Sequence, residues 1–159
     1  MQAVLVIVAD GAAARFFTLE SSATPEYESS PYLVAGETIN NPSQELTGEE
    51  LWSAPQSQIG HYQGSVQNYD DHRQQHQIEY ERRYAAQIVD KIQDYRQSHH
   101  VDELIIVAEH RLLGLLRDVL PKIPNIVELD KNLSHLNPRE IHEYLANQDV
   151  LPAAITPNI

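Results

Sequence analysis

A chain of 159 residues, 42% hydrophobic with the apolar positions spread throughout, has room for one core and predicts a single fold without a major linker. Eleven basic against twenty-three acidic residues give a net charge of −12, which repels phosphate backbones at long range and argues against general nucleic-acid binding or attachment to anionic membranes. The absence of cysteine removes disulfides, thiolate chemistry and cysteine-ligated zinc. No apolar run approaches the roughly 18 residues of a membrane span, and no basic region precedes Val4, which argues against a signal peptide and leaves the cytoplasm as the expected compartment.

Val4 to Ala9 is a continuous apolar run, the pattern of a strand covered on both faces. Asp10-Gly11 is a turn signal, and Arg15 to Glu20 returns as an antiparallel partner. After a polar connection from Ser21 to Pro31, Tyr32 to Asn40 reads as a third and more exposed strand, broken at Gly36 and ended by Asn40-Asn41-Pro42. Pro42 to Gly48 reads as loop. Glu49 to Ala54 fits a short strand or a helical turn, with Trp52 as a core or lid anchor.

Gln56 to Tyr69 has the glycine and amide content of a mobile connection. From Asp70 to His100 neither Gly nor Pro occurs, which predicts the longest helix of the chain, with Asn68 or Asp70 as its cap. Tyr84, Ala85, Ile88, Val89, Ile92 and Tyr95 recur at helical spacing and form its core stripe. Between Asp70 and Arg83 the sole aliphatic residue is Ile78, so this half has little to bury and is expected to project past the core, carrying the loop with it. Arg73, Arg82, Arg83, Arg111 and Arg117 are interleaved with acids and build no basic face.

Glu103 to Ala108 is a second buried strand. His110 to Leu120 follows as a short helix whose Leu112, Leu113, Leu115, Leu116 and Val119 suit packing on the sheet, with Gly114 permitting close backbone approach. Ile126 to Leu129 is a fifth strand, and Arg139 to Asn147 a last helix with Pro138 in its first turn. These elements make residues 1–148 one α/β domain, and 149–159 a flexible tail whose Leu151, Ile155 and Ile159 are candidates to dock on a partner. Three meandering strands followed by helix-strand alternation imply a mixed five-stranded sheet with helices on its faces. Right-handed crossovers then place the strands in the order 3-2-1-4-5. If the third strand ends the sheet, its free edge allows a homodimer.

Several phrases resemble one family, the bacterial proteins required for attachment to host cells. They are Val8-Ala-Asp-Gly-Ala-Ala-Ala-Arg-Phe-Phe17, Asn41-Pro42, the His72, His76 and Glu79 region leading to Arg83-Tyr84-Ala85, Val107-Ala-Glu-His-Arg-Leu-Leu-Gly-Leu-Leu-Arg117, Glu128-Leu-Asp-Lys-Asn-Leu133 and Asn137-Pro-Arg-Glu-Ile141. That family is similar to the middle domain of eukaryotic and archaeal peptide chain release factors, a ribonuclease H-like fold, and the resemblance implies the same 3-2-1-4-5 sheet. In release factors the loop ahead of the long helix carries Gly-Gly-Gln. The matching positions here are Gly60, His61, Tyr62, Gln63 and Gly64, where Gln63 is present but His61 and Tyr62 stand in place of the two glycines. Side chains there oppose both the required torsions and entry into a narrow tunnel, which argues against hydrolysis of peptidyl-tRNA through Gln63.

The sequence therefore points first to a non-enzymatic cytoplasmic module that needs no cofactor and touches a protein or ribosomal partner through Gly60 to Gly64, Tyr69, Arg73 and Arg83. A translation release or rescue factor acting through Gln63 is the alternative. His72, His76 and Glu79 can share one helix face and form a possible zinc set, which defines a third reading as a metal-dependent enzyme. Nuclease chemistry would need Asp10, Glu20 and Asp130 to converge. Neither a full dinucleotide-binding glycine fingerprint nor a nucleophile elbow occurs.

Overall fold

A computed structural model describes residues 3–42 and 66–157, apart from the side chains of 66–74. Its elements run β1 (Val4–Ala9), β2 (Ala13–Glu20), β3 (Tyr32–Asn40), α1 (Val66–Ser98), β4 (Glu103–Ala108), α2 (His110–Val119), β5 (Ile126–Asp130) and α3 (Pro138–Asn147). The five strands form one sheet in the order β3-β2-β1-β4-β5. β1 pairs antiparallel with β2 and parallel with β4, so the chain reverses its pairing direction at β1.

β1 is apolar at every position because both of its faces are covered. Leu5, Ile7 and Ala9 join Phe16, Ile88, Ile92 and Leu116 in a core beneath α1 and α2. Val4, Val6 and Val8 join Phe17, Leu19, Ile141 and Leu145 in a second core beneath α3. The two-residue period of a strand thus divides one run of sequence between two layers. Each fully buried aliphatic side chain contributes about 1.5–3 kcal/mol, so these two cores are the main source of stability.

The β1–β2 turn is closed by Asp10, whose carboxylate accepts the amides of Ala12 at 2.8 Å and Ala13 at 2.9 Å. Gly11 does not adopt a positive φ, so the aspartate shapes this turn. β3 runs through Gly36 unbroken, but its pairing with β2 shifts opposite Phe16, between Arg15 and Phe17. A Cβ on Gly36 would come within 2.4 Å of the Tyr95 hydroxyl, which itself accepts the Glu37 amide. Lys91 pairs with Glu37 beside it. A bulge and a charged pair at mid-strand are devices that blunt an exposed sheet edge.

Several expectations are corrected. α1 is helical from Val66, inside the segment read as loop, so Asn68 and Asp70 lie within the helix and neither caps its start. On α2, Leu112, Leu113 and Leu116 are buried, but Val119 is 47% exposed because it lies on the outer flank of the last turn. Gly114 has open space where its Cβ would be, so no close approach requires it. Trp52 and the segment from Pro42 to Tyr69 ahead of the helix lie outside the described residues, except for Pro42 and the helical backbone of 66–69.

Beyond α3 the chain turns at Asp149, with φ +59°, and packs back. Leu151 is buried in the α3-side core, and Ile155 exchanges backbone hydrogen bonds with Ser30 at 2.9 and 3.3 Å. His142, itself buried, makes a 2.8 Å hydrogen bond through Nε2 to the Pro152 carbonyl. Ile155 is 76% exposed and Ile159 lies outside the described residues.

Candidate functional site

The core stripe of α1 begins at Tyr84, which is 1% exposed, and continues through Ala85, Ile88, Val89 and Ile92. Ahead of it, Gln75 to Glu79 are exposed, Tyr80 and Glu81 half-buried, and Arg82 and Arg83 exposed. The helix spans 33 residues, roughly 50 Å at 1.5 Å per residue, against about 20 Å for the six-residue central strands. The helix is thus more than twice as long as those strands, and along its N-terminal arm, ahead of Tyr84, none of the described side chains, those of residues 75–83, is buried.

Two contacts fasten the root of this arm. The Tyr84 hydroxyl donates to the Asp10 carbonyl at 2.8 Å, tying the helix to the turn that ends β1. Arg111 at the start of α2 pairs with Glu81 at 2.8 Å. A cleft of about 170 Å³ lies between these elements, bordered by Gly11, Asn41 and Leu115. Asn41 closes it from the end of β3 by donating from Nδ2 to the Gly11 carbonyl at 2.7 Å.

The electrostatics of the cleft suit fastening more than proton transfer. Burial pushes the Asp10 carboxyl up, but the amides of Ala13 and Ala12 and the charge of Arg15 outweigh it and hold the carboxyl below the usual range. Burial, helped by the Asp10 charge, pushes the Tyr84 phenol well above its ordinary value, so it remains a donor. A carboxyl depressed in the folded state stabilises the fold above its unfolded pKa, and that stabilisation disappears as pH falls through the folded value. Asp10→Asn should therefore lower stability at neutral pH and flatten its decline below about pH 4. Denaturant titrations at stepped pH check this, and parallel acid limbs for the two proteins would contradict it.

The sequence-predicted site residues divide into three groups. Gly60, His61, Tyr62, Gln63 and Gly64 lie outside the described residues. Tyr69, His72 and Arg73 are on the α1 backbone, and their side chains are outside the description. His76, Glu79 and Arg83 lie on one exposed stripe of the arm, where Glu79 pairs with Arg83 and the Arg83 guanidinium sits 5.4 Å from the Tyr80 ring centroid. Among the described residues no group of three histidine or acidic side chains is placed to hold a metal.

Asp10 and Asp130 end β1 and β5, two strands apart and thus about 10 Å across the sheet. Glu20 ends the antiparallel β2 at the far end. These carboxylates do not converge.

Residues 5–145 match the family model described as "Protein required for attachment to host cells". The chain belongs to that family. The match takes in β1 from Leu5, the other four strands, α1, α2 and most of α3, so both the fastened root and the arm lie within the host-attachment region. No curated protein matches the chain. Among the described residues of this host-attachment family member, no helix is long and apolar enough to cross a membrane.

The role of Arg15 was not legible in the sequence. Its Nη2 reaches the carbonyls of Leu136 at 2.8 Å, Ser134 at 3.1 Å and Leu133 at 3.4 Å, more than 110 residues away along the chain. A lone basic residue among the apolar positions Ala13 to Phe17 was the available signal. Arg111 was noted only as part of a dispersed charge set, and its pairing with the arm depends on the packing of α2 beside α1.

Proposed function

We propose that this host-attachment family member is a cytoplasmic binding module without a catalytic step, contacting a protein or ribosomal partner through residues 56–83. One observation carries this reading: among the described side chains of α1 ahead of Tyr84, those of residues 75–83, on the order of 13 Å of helix, none is buried. A helix extension that buries little gains no stability from packing, so its rigid fastening at Tyr84 and Arg111 is better explained by presentation of a surface. Ile78, 39% exposed, offers an apolar anchor, and the Tyr80–Arg83 pair brings the residue types that concentrate binding energy at interfaces. The strand order also supports the finer reading of the fold as ribonuclease H-like, of the release-factor middle-domain type.

The double variant Ile78→Asp, Arg83→Glu tests the arm. Both positions are solvent-facing, so the melting temperature should stay within about 2 °C. Retention of a stoichiometric partner from native lysate should fall by at least about tenfold, as expected for loss of interface anchors. Equal capture by both proteins, or no stoichiometric capture by the unaltered chain, would overturn the reading.

A further inference from the structure

On the opposite face of the sheet from α1, a groove of about 920 Å³ runs between α3, the entry to β3 and the C-terminal segment. From its chemistry we infer that this groove is a binding site for a small, uncharged, polyhydroxylated molecule, a sugar of one or a few rings. Its volume falls within the roughly 300–1,000 Å³ of small-molecule sites.

The observation that points to a ligand is His142. The residue is 5% exposed and lines the groove. Its Nε2 is committed to the Pro152 carbonyl, which can only accept, so Nε2 carries the hydrogen. In the neutral ring Nδ1 is then an acceptor, and among the described residues it is not a buried atom lacking a partner, so it is left to accept from solvent or from a molecule in the groove. A carbonyl that holds one ring nitrogen and orients the other is the usual support of a working imidazole.

Three further features select the ligand class. Extended peptide addition at the groove's β3 side is blocked, because both backbone groups of Ser30 are taken by Ile155 and Pro31 has no N–H. A charged ligand gains little net attraction here, since the groove presents Arg139 and Glu143 side by side at 3.4 Å and their opposite charges offset each other. An anion would also enter the field of a chain with net charge −12. What remains is a wall of polar groups, among them the Arg139–Glu143 pair, beside apolar surface from Tyr32, Ala146 and Ala154. Hydroxyls donate and accept at once, so a sugar can supply a hydrogen to Nδ1, satisfy the Arg139–Glu143 pair and lay its C–H face on Tyr32.

The inference is independent of the arm, which arises on the other side of the sheet. Titration of the isotope-labelled full chain with glucose, galactose, mannose, N-acetylglucosamine and lactose, followed by amide and imidazole chemical shifts, tests it. At least one sugar should shift the His142 ring and the α3 amides saturably. Ala146→Leu, which fills the groove without touching the His142–Pro152 bond, should weaken that sugar at least tenfold at unchanged melting temperature. His142→Phe should weaken it as well. The inference falls if no sugar in the panel shifts these signals, if Ala146→Leu binds as well as the unaltered chain, or if phosphate or a tetra-alanine peptide shifts them and no sugar does.

Discussion

Tyr84→Ala is expected to destabilise the protein by about 3–5 kcal/mol, the range for truncating a fully buried aromatic residue. Tyr84 is among the largest side chains with no appreciable exposure, and it packs in the core beneath α1 and α2. Two losses combine. A cavity opens where α1 meets the sheet, and the Asp10 carbonyl loses its donor. Tyr84→Phe separates them: it keeps the ring and removes the hydroxyl, and should cost about 1–2 kcal/mol for the unpaired carbonyl. Urea unfolding of the three proteins measures both steps. A phenylalanine variant as damaged as the alanine variant would show that the hydrogen bond, and not the packing of the ring, dominates. The phenol also sets an alkaline limit: its pKa is raised on folding, so stability should decline as pH rises past the unfolded value near 10.

Arg15→Ala should cost about 2–3 kcal/mol, because a charged donor serving several carbonyls is worth more than a neutral hydrogen bond. The guanidinium tethers the loop after β5 through the carbonyls of Leu133, Ser134 and Leu136, and lies 5.3 Å from the Phe17 ring centroid. That loop leads into α3, whose N-terminus is closed reciprocally by Asn137 and Glu140. Loss of Arg15 should therefore appear locally as faster amide exchange at Leu136 and Ile141 before global unfolding. Arg15→Lys should recover only part of the loss, since one compact ammonium cannot reproduce the planar fork. Unchanged exchange at Leu136 in Arg15→Ala would remove the tether from the account.

Elements bounded by their own chemistry were legible in advance. Val4–Ala9 and Tyr32–Asn40 carry their limits in a run closed by turn residues, Glu103–Ala108 in an apolar run that gives way to charged residues, and they are the strands observed. The order 3-2-1-4-5 followed from crossover handedness, which leaves few arrangements once the strands are known. α1 starts earlier than its composition suggests, because Val66 to Tyr69 combine amide-rich residues with the absence of any helix breaker, and composition alone does not choose between loop and helix. Val119 was assigned inward by residue type, yet its place on the last turn of α2 exposes it. For the functional surface, spacing showed that residues before Tyr84 have little to bury, but not what would hold them in place.

By itself the sequence determined the existence of the strands and helices, the core stripe of α1 from Tyr84 and the two-sided burial of β1, and it showed that Asp70 to Arg83 offer one aliphatic side chain. Those properties depend on residues near one another along the chain, where periodicity and turn chemistry act. Tertiary structure alone decided that Arg15 secures a loop beyond Leu133, that Tyr84 and Arg111 brace the arm, and that the segment after Asn147 folds back so that Pro152 orients His142. Each of these contacts joins groups brought together only by the assembled sheet and its packed helices. A hydrogen bond or ion pair depends on distances of a few ångströms, and no local pattern in the chain encodes them.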